Sequence, residues 1–305
     1  MTDIAADPLD PSGSVLGPGS ATAVAAATRA TPGAWRLVVR RPTFLVGAAI
    51  ALFWIVCAIF GHSFAPYNPL AQQLLAVNVA PSGAHWFGTD PLGRDVLSRI
   101  IVGARDILII TPLATIIGTV LGTALGLAMG YFGGTFDLLA SRLVEAVLAL
   151  PSFIIAFLFL VAVGASTTTL IVVIGLIFTP LIARTVRSSV LTERHLDYLA
   201  SARLLGENPA RIMFAEILPN MLPSILVEFT VRLGYAIFTV ATLSFLGFGI
   251  QPPTPDWGAD IAYANTNNAL ISGYWWQVLF PALAIASLVI AINLITDSIE
   301  QVLAS

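Results

Sequence analysis

Apolar residues dominate this chain in long unbroken runs, separated by short polar punctuation. Six runs are long enough to cross a bilayer, whose hydrocarbon core takes about 20 apolar residues per helix. They cover residues 43–61, 107–131, 146–164, 169–186, about 221–249 and 278–296. In lipid an isolated open strand leaves its backbone unsatisfied, so each run predicts a helix. The pattern predicts an all-α polytopic membrane protein with six spans. Residues 1–35 hold mostly Ala, Thr, Pro, Gly and Ser, too few bulky side chains to offset ordering entropy, and are read as a disordered tail. Residues 36–305 then form the membrane domain, with long connections at 62–106, 187–220 and 250–277.

Composition agrees with the pattern: 57% of the 305 residues are hydrophobic and 10% are charged. A soluble domain carries about 25% charged residues. Arginine placement sets the orientation. With a cytoplasmic N-terminus, ten arginines (29, 36, 40, 41, 142, 184, 187, 194, 203 and 211) fall on the inside and only Arg94, Arg99 and Arg105 on the outside. The positive-inside rule therefore predicts both termini in the cytoplasm. Cys57, the single cysteine, lies in an apolar run and excludes an intrachain disulfide.

Gly118, Gly122, Gly126 and Gly130 recur every fourth residue, which puts them on one face of the second span. Such a stripe lets another helix approach closely; a wall of a substrate path is the second reading. Glu228 and Arg232 are one helical turn apart in the fifth span. They are either a self-neutralising structural pair or polar lining of a path. Arg142 with Glu145, and Asp297 with Glu300, are read as interfacial anchors. Pro112 and Pro151 stand inside apolar runs and could break them.

The 187–220 connection reads as a helical hairpin. Good helix formers over 192–205 end at Gly206, suited to a left-handed cap, and Asn208-Pro209 suits an N-cap and first turn. The second helix is expected to end at Pro219. In the 62–106 segment, Asp90 and Pro91 predict another helix start. Val96, Ile100 and Ile101 would then face a membrane surface, with Trp86, Trp275 and Trp276 as interfacial aromatics.

The hairpin residues Ala200, Ser201, Ala202, Arg203, Leu204, Leu205 and Gly206, followed by Ile217-Leu218-Pro219, resemble the Glu-Ala-Ala loop of ABC-importer permeases. Ala200, Ser201 and Glu216 depart from the family's usual Glu, Ala and Ile, while Ala202, Gly206, Leu218 and Pro219 match. Phe87-Gly88-Thr89-Asp90, with Gly93, Arg94 and Asp95, resembles an outer motif of the dipeptide, oligopeptide and nickel permeases. The stretch Gly247–Gly258, which includes Trp257, resembles their second outer segment. The likeness covers about residues 35–300 and is to the second, C-type permease.

That resemblance implies a bacterial plasma-membrane importer subunit and the type I permease fold. Its partners would be a homologous second permease, two ATPase subunits or domains, an extracytoplasmic binding protein and membrane lipid, with no nucleic acid. The hairpin would dock an ATPase; Asp90, Gly93, Arg94, Asp95 and Trp257 would lie on the binding-protein side. Di- or oligopeptides are the implied cargo, with nickel, opines and glutathione as alternatives. With no lysine the chain holds no Gly-rich phosphate loop of the Walker type, so ATP and magnesium are expected on partner subunits and no cofactor in this chain. A zinc protease is disfavoured because no His-Glu-x-x-His occurs. An ion-coupled carrier would want an acidic group at the midplane of a span, and none is evident.

Overall fold

A computed structural model describes residues 38–194 and 196–303. The expected tail at 1–35 and Arg29, Arg36 and His195 lie outside the described residues. Nine helices carry the described chain: α1 (Pro42–Phe64), α2 (Val96–Phe132), α3 (Gly134–Leu148), α4 (Ser152–Val163), α5 (Thr167–Glu193), α6 (Asp197–Leu204), α7 (Pro209–Phe245), α8 (Trp257–Thr266) and α9 (Trp276–Leu303). Five of them, α1, α2, α5, α7 and α9, are long and apolar enough to cross a membrane, and the bent pair α3–α4 brings the number to six if counted as one span.

Six sequence expectations change here. The third span, expected over 146–164, is two helices meeting at 83°, and α4 has only 12 residues. Twelve residues rise about 18 Å, short of a bilayer core. Pro151 sits at the corner and stands as the N-cap of α4, as a residue without an N–H can. Pro112, by contrast, lies inside an unbroken α2.

The second span begins eleven residues earlier than expected, at Val96. Asp95 caps α2 by accepting from Ser98 N at 2.9 Å, so Asp90 is not the cap. Gly93 at φ +71° turns the chain away from helix between them. Val96 and Ile100, expected at a membrane surface, are buried in the bundle. Trp276 is also buried rather than interfacial, whereas Trp86 and Trp275 are exposed.

The hairpin's second helix does not end at Pro219: it runs on as α7 to Phe245. A π-turn over Ile212–Ile217 makes this possible, with Leu218 N bonded to Met213 O. Pro219 has no N–H, and in a regular α-helix its ring would crowd the carbonyl four residues before it. The wider turn relieves that crowding.

The glycine stripe of α2 lies against α5. A Cβ on Gly118 would stand 2.8 Å from Phe178 Cβ, and one on Gly122 would stand 2.7 Å from Ile182 Cβ. On Gly126 it would stand 2.6 Å from Ala183 O, and on Gly130 2.5 Å from Val190 Cβ. The stripe therefore serves contact within the subunit. Arg187 of α5 also grips Asp137 of α3, with Nη2 donating to Oδ2 at 2.7 Å.

Cross-links fix the depth of α1. Thr43 Oγ1 lies 2.9 Å from Ser298 Oγ of α9 at one end. Tyr67 N donates to Ser98 Oγ at 3.1 Å just beyond the other. The 23 residues between rise about 35 Å, enough for one crossing. We call the end near Thr43, which also bears Gly206, the hairpin end, and the opposite end the cap end.

Candidate functional site

The hairpin is built from α6, a four-residue connection over 205–208 and the start of α7. Glu207 N bonds Ala202 O at 3.2 Å and Leu205 N bonds Ser201 O at 3.0 Å, so the last carbonyls of α6 are used. Gly206 supplies the required left-handed conformation at φ +73°. Asn208 Oδ1 then accepts from Ala210 N at 2.9 Å and starts the next helix. Leu199 and Ala202 are buried against the same cluster as Ile212 and Ile217, so the two arms form one body. The backbone places Ala200 and Arg203 in α6.

Two further bonds tie the hairpin to the spans. Tyr198 OH donates to Glu193 Oε2 at 2.7 Å, and Asn220 Nδ2 donates to Tyr198 OH at 3.2 Å. Burial and the Glu193 carboxylate push the Tyr198 phenol up to about 12, so it keeps its proton at physiological pH. At the tip Leu204 is 89% exposed and Leu205 81% exposed. A rigid arm ending in two uncovered leucines is suited to a partner's apolar groove. Leu218 and Pro219 do not reach that tip; they stand in α7, where the arm joins the span.

The cap end is organised by charge. Asp90 Oδ1 accepts from Leu92 N at 2.8 Å and Arg94 N at 2.9 Å, while Arg94 Nε donates to Oδ2 at 2.5 Å. A Cβ on Gly93 would stand 2.0 Å from Gln73 O, so this turn admits no side chain there. Asp95 accepts from Ser98 Oγ at 2.6 Å and lies 2.9 Å from His85 Nδ1. The carboxylate stands between Ser98 and His85, so the imidazole is not placed to take the Ser98 proton. Ser98 Oγ also accepts from Tyr67 N at 3.1 Å. This trio is a brace, not a nucleophile and its base.

Trp257 is 2% exposed and donates from Nε1 to Ile100 O at 2.9 Å. The motif residues Asp90, Arg94, Asp95 and Trp257 are thus buried and hold the cap in shape. The exposed large apolar side chains at this end are others, among them Leu74, Leu75, Trp86 and Ile271. Sequence reading missed the long-range braces. Arg99 Nε donates to Asp260 Oδ1 at 3.0 Å, Trp276 Nε1 to Thr89 O at 3.1 Å and Gln277 Nε2 to Asn78 Oδ1 at 2.7 Å. Asp256 was also missed, although an Asp just before an amphipathic run is a helix-start signal. It caps α8 by accepting from Ala259 N at 2.7 Å.

Burial pushes the Asp256 carboxyl up to about 7, against the lowering effect of the Ala259 bond. Asp260 and Asp106 raise it further. The unfolded carboxyl ionises near its ordinary value while the folded one stays protonated. The contribution of this group to stability is therefore fully present below about pH 4, falls as pH rises, and is lost above about pH 7. Asp256→Asn is expected to remove that slope between pH 4 and 7, as read by thermal unfolding in detergent. An unchanged slope would show that Asp256 does not carry it.

Glu228 and Arg232 form an ion pair in α7, with Arg232 Nε donating to Glu228 Oε1 at 2.7 Å. Arg232 also lies over the Tyr235 ring at 5.6 Å. Val227 packs with Val38, Ile299 and Val302, which sets the pair close to the hairpin end rather than at mid-span. Arg142 and Glu145 pair at 3.0 Å on an exposed face of α3, and Asp297 and Glu300 are exposed near the end of α9.

Comparison with known proteins bears on this geometry. Residues 122–305 match the family described as "Binding-protein-dependent transport system inner membrane component", and residues 32–81 match the "N-terminal TM domain of oligopeptide transport permease C". The dipeptide transport system permease protein DppC of Bacillus subtilis (strain 168) is 35% identical over 274 residues, 90% of this chain and 85% of the relative. The glutathione transport system permease protein GsiD of Escherichia coli (strain UTI89 / UPEC) is 37% identical over 272 residues, 88% of each chain. GsiD of Shigella sonnei (strain Ss046) matches to the same extent, at 37% over 272 residues.

Proposed function

Because the chain belongs to the binding-protein-dependent transport system inner membrane components, and is a C-type permease subunit of an ABC importer, we propose that it imports di- or oligopeptides and is driven through its α6–α7 hairpin. The observation that carries the coupling reading is the rigid hairpin with Leu204 and Leu205 uncovered at its tip. The peptide reading is supported by the relatives, a dipeptide permease and a glutathione permease by name.

In this reading the partners are a homologous permease, two ATPase subunits or domains that hold ATP and magnesium, and an extracytoplasmic binding protein. The binding protein delivers peptide at the cap end. Closure of the ATPases pushes the hairpins, and each hairpin turns its spans as one body. The hairpin end faces the cytoplasm of the bacterial plasma membrane, with both termini on that side. The count of arginines supports this orientation. The buried cap braces then keep the docking face rigid while the spans move.

Two measurements test this. Purified importer in vesicles should take up peptide only when ATP and the loaded binding protein are both present; uptake driven by an ion gradient alone would transfer the chain to another transport mechanism. For orientation, an impermeant thiol reagent applied to the outside of cells should label a cysteine at position 271 and spare one at 205. Cys57 is buried and can be left in place. The reverse labelling would overturn the orientation.

A further inference from the structure

A cavity of about 570 Å³ opens between α1, α2, α7 and α9. Its wall is apolar: Ile55 and Ile59 on one side, Leu108, Ile109 and Pro112 on the other, with the remaining lining from α7 and α9. The single charged group in the wall is Arg105. Its side chain is exposed and takes no hydrogen bond and no ion pair among the described residues. Its charge interacts with that of Asp106, the acidic neighbour in sequence, which does not line the cavity.

The depth of Arg105 is informative. Gly61 of α1 packs on Ile101, where a Cβ would stand 3.1 Å from the Ile101 carbonyl oxygen. Arg105 is one helical turn further into the bundle, about 6 Å below that level. That depth is inside the apolar span of α1, from where a long cationic side chain reaches toward the headgroups. Below it the apolar wall continues for two turns, from Ile59 to Ala51 on α1 and from Arg105 to Pro112 on α2. A cation that makes no hydrogen bond among the described residues, above an apolar slot and within side-chain reach of the headgroups, is complementary to one kind of molecule.

We propose that this groove binds an anionic phospholipid, with its phosphate on Arg105 and an acyl chain laid between α1 and α2. The Arg105 guanidinium satisfies the phosphate by charge-assisted hydrogen bonds, and the chain fills space that bundle side chains leave open. A lipid wedged here would set the spacing of α1 from α2, and so the packing of the outermost span on the bundle. The assignment rests on the membrane-spanning reading of α1 and α2, and not on the identity of the cargo.

The test uses the assembled importer, purified in detergent from membranes containing phosphatidylglycerol and phosphatidylethanolamine, with retained lipid measured by mass spectrometry. Phosphatidylglycerol should be retained in preference, Arg105→Gln should lower its retention about tenfold, and Arg105→Lys should keep most of it. Ala51→Phe, which fills the slot but leaves the charge, should also lower retention. Equal retention of both lipids, or no loss with Arg105→Gln, would overturn the proposal. So would a cross-link from position 105 to the second permease, or protection of a cysteine at 105 by peptide. Because the readout is lipid, these failures would leave the import reading standing.

Discussion

Gly122→Leu combined with Gly126→Leu is expected to abolish the folded subunit. At Gly126 even a single Cβ would stand 2.6 Å from the Ala183 carbonyl oxygen and 2.7 Å from Val186 Cβ. At Gly122 the neighbours are Ile182 Cβ at 2.7 Å and Thr179 O at 2.8 Å. The obstacles include α5 backbone, which cannot rotate away, so the two helices must separate. Overpacking costs about 1–3 kcal/mol per site, and two sites together remove a large part of a stability of about 5–15 kcal/mol. The measurement is the yield of monodisperse subunit in detergent and its unfolding temperature. Val120→Leu, on an exposed face of the same helix, should leave both unchanged. Normal yield from the double variant would mean that α2 and α5 do not meet through this stripe.

The second large effect is expected at the hairpin tip. Leu204→Asp with Leu205→Asp should leave the spans folded, since both side chains are exposed in the subunit. In the assembled importer they should eliminate the stimulation of ATP hydrolysis by loaded binding protein. Each leucine covered by a partner contributes about 1.5–3 kcal/mol, so losing two weakens docking by at least about a hundredfold. Gly206→Val acts differently and less strongly. A Cβ at Gly206 would meet no atom within 4 Å, so the change brings only backbone strain at φ +73°. That strain is about 1–2 kcal/mol, enough to loosen the turn without unseating the spans. A variant with both leucines changed that still couples normally would place the drive elsewhere.

The parts of this architecture legible in the sequence are those written in local chemistry. Gly206, Asn208 and Pro209 mark their turn because left-handed backbone, a side-chain acceptor and a missing N–H each have one natural place at a helix junction. The fourfold spacing of Gly118–Gly130 is likewise a property of one helix face. What could not be read was long-range. Hydropathy sees that residues 146–164 are apolar, but the 83° corner depends on what α3 and α4 pack against. Pro112 and Pro151 have the same local signal, yet one sits in an unbroken helix and the other at a corner.

The cap motif is a different case. Asp90, Arg94 and Asp95 are charged and lie in a connection. Their charges satisfy one another and nearby backbone, as buried ionic groups must. Distant contacts join them: Arg94 lies over the Tyr263 ring at 5.5 Å, and Arg99, in the same region, pairs with Asp260, 161 residues away. Pro219 shows the limit of reading a breaker as a stop. A π-turn carries the helix through it, and this continuity joins the hairpin mechanically to a membrane span.

That joint is the centre of the account, and contact at the tip tests it most directly. Cysteines introduced singly at 204 and 205 should each cross-link to a cysteine in an ATPase subunit of the assembled importer, and ATP should change the cross-linking yield. If neither position reaches an ATPase subunit with or without ATP, while the importer still transports, the hairpin is not the coupling element.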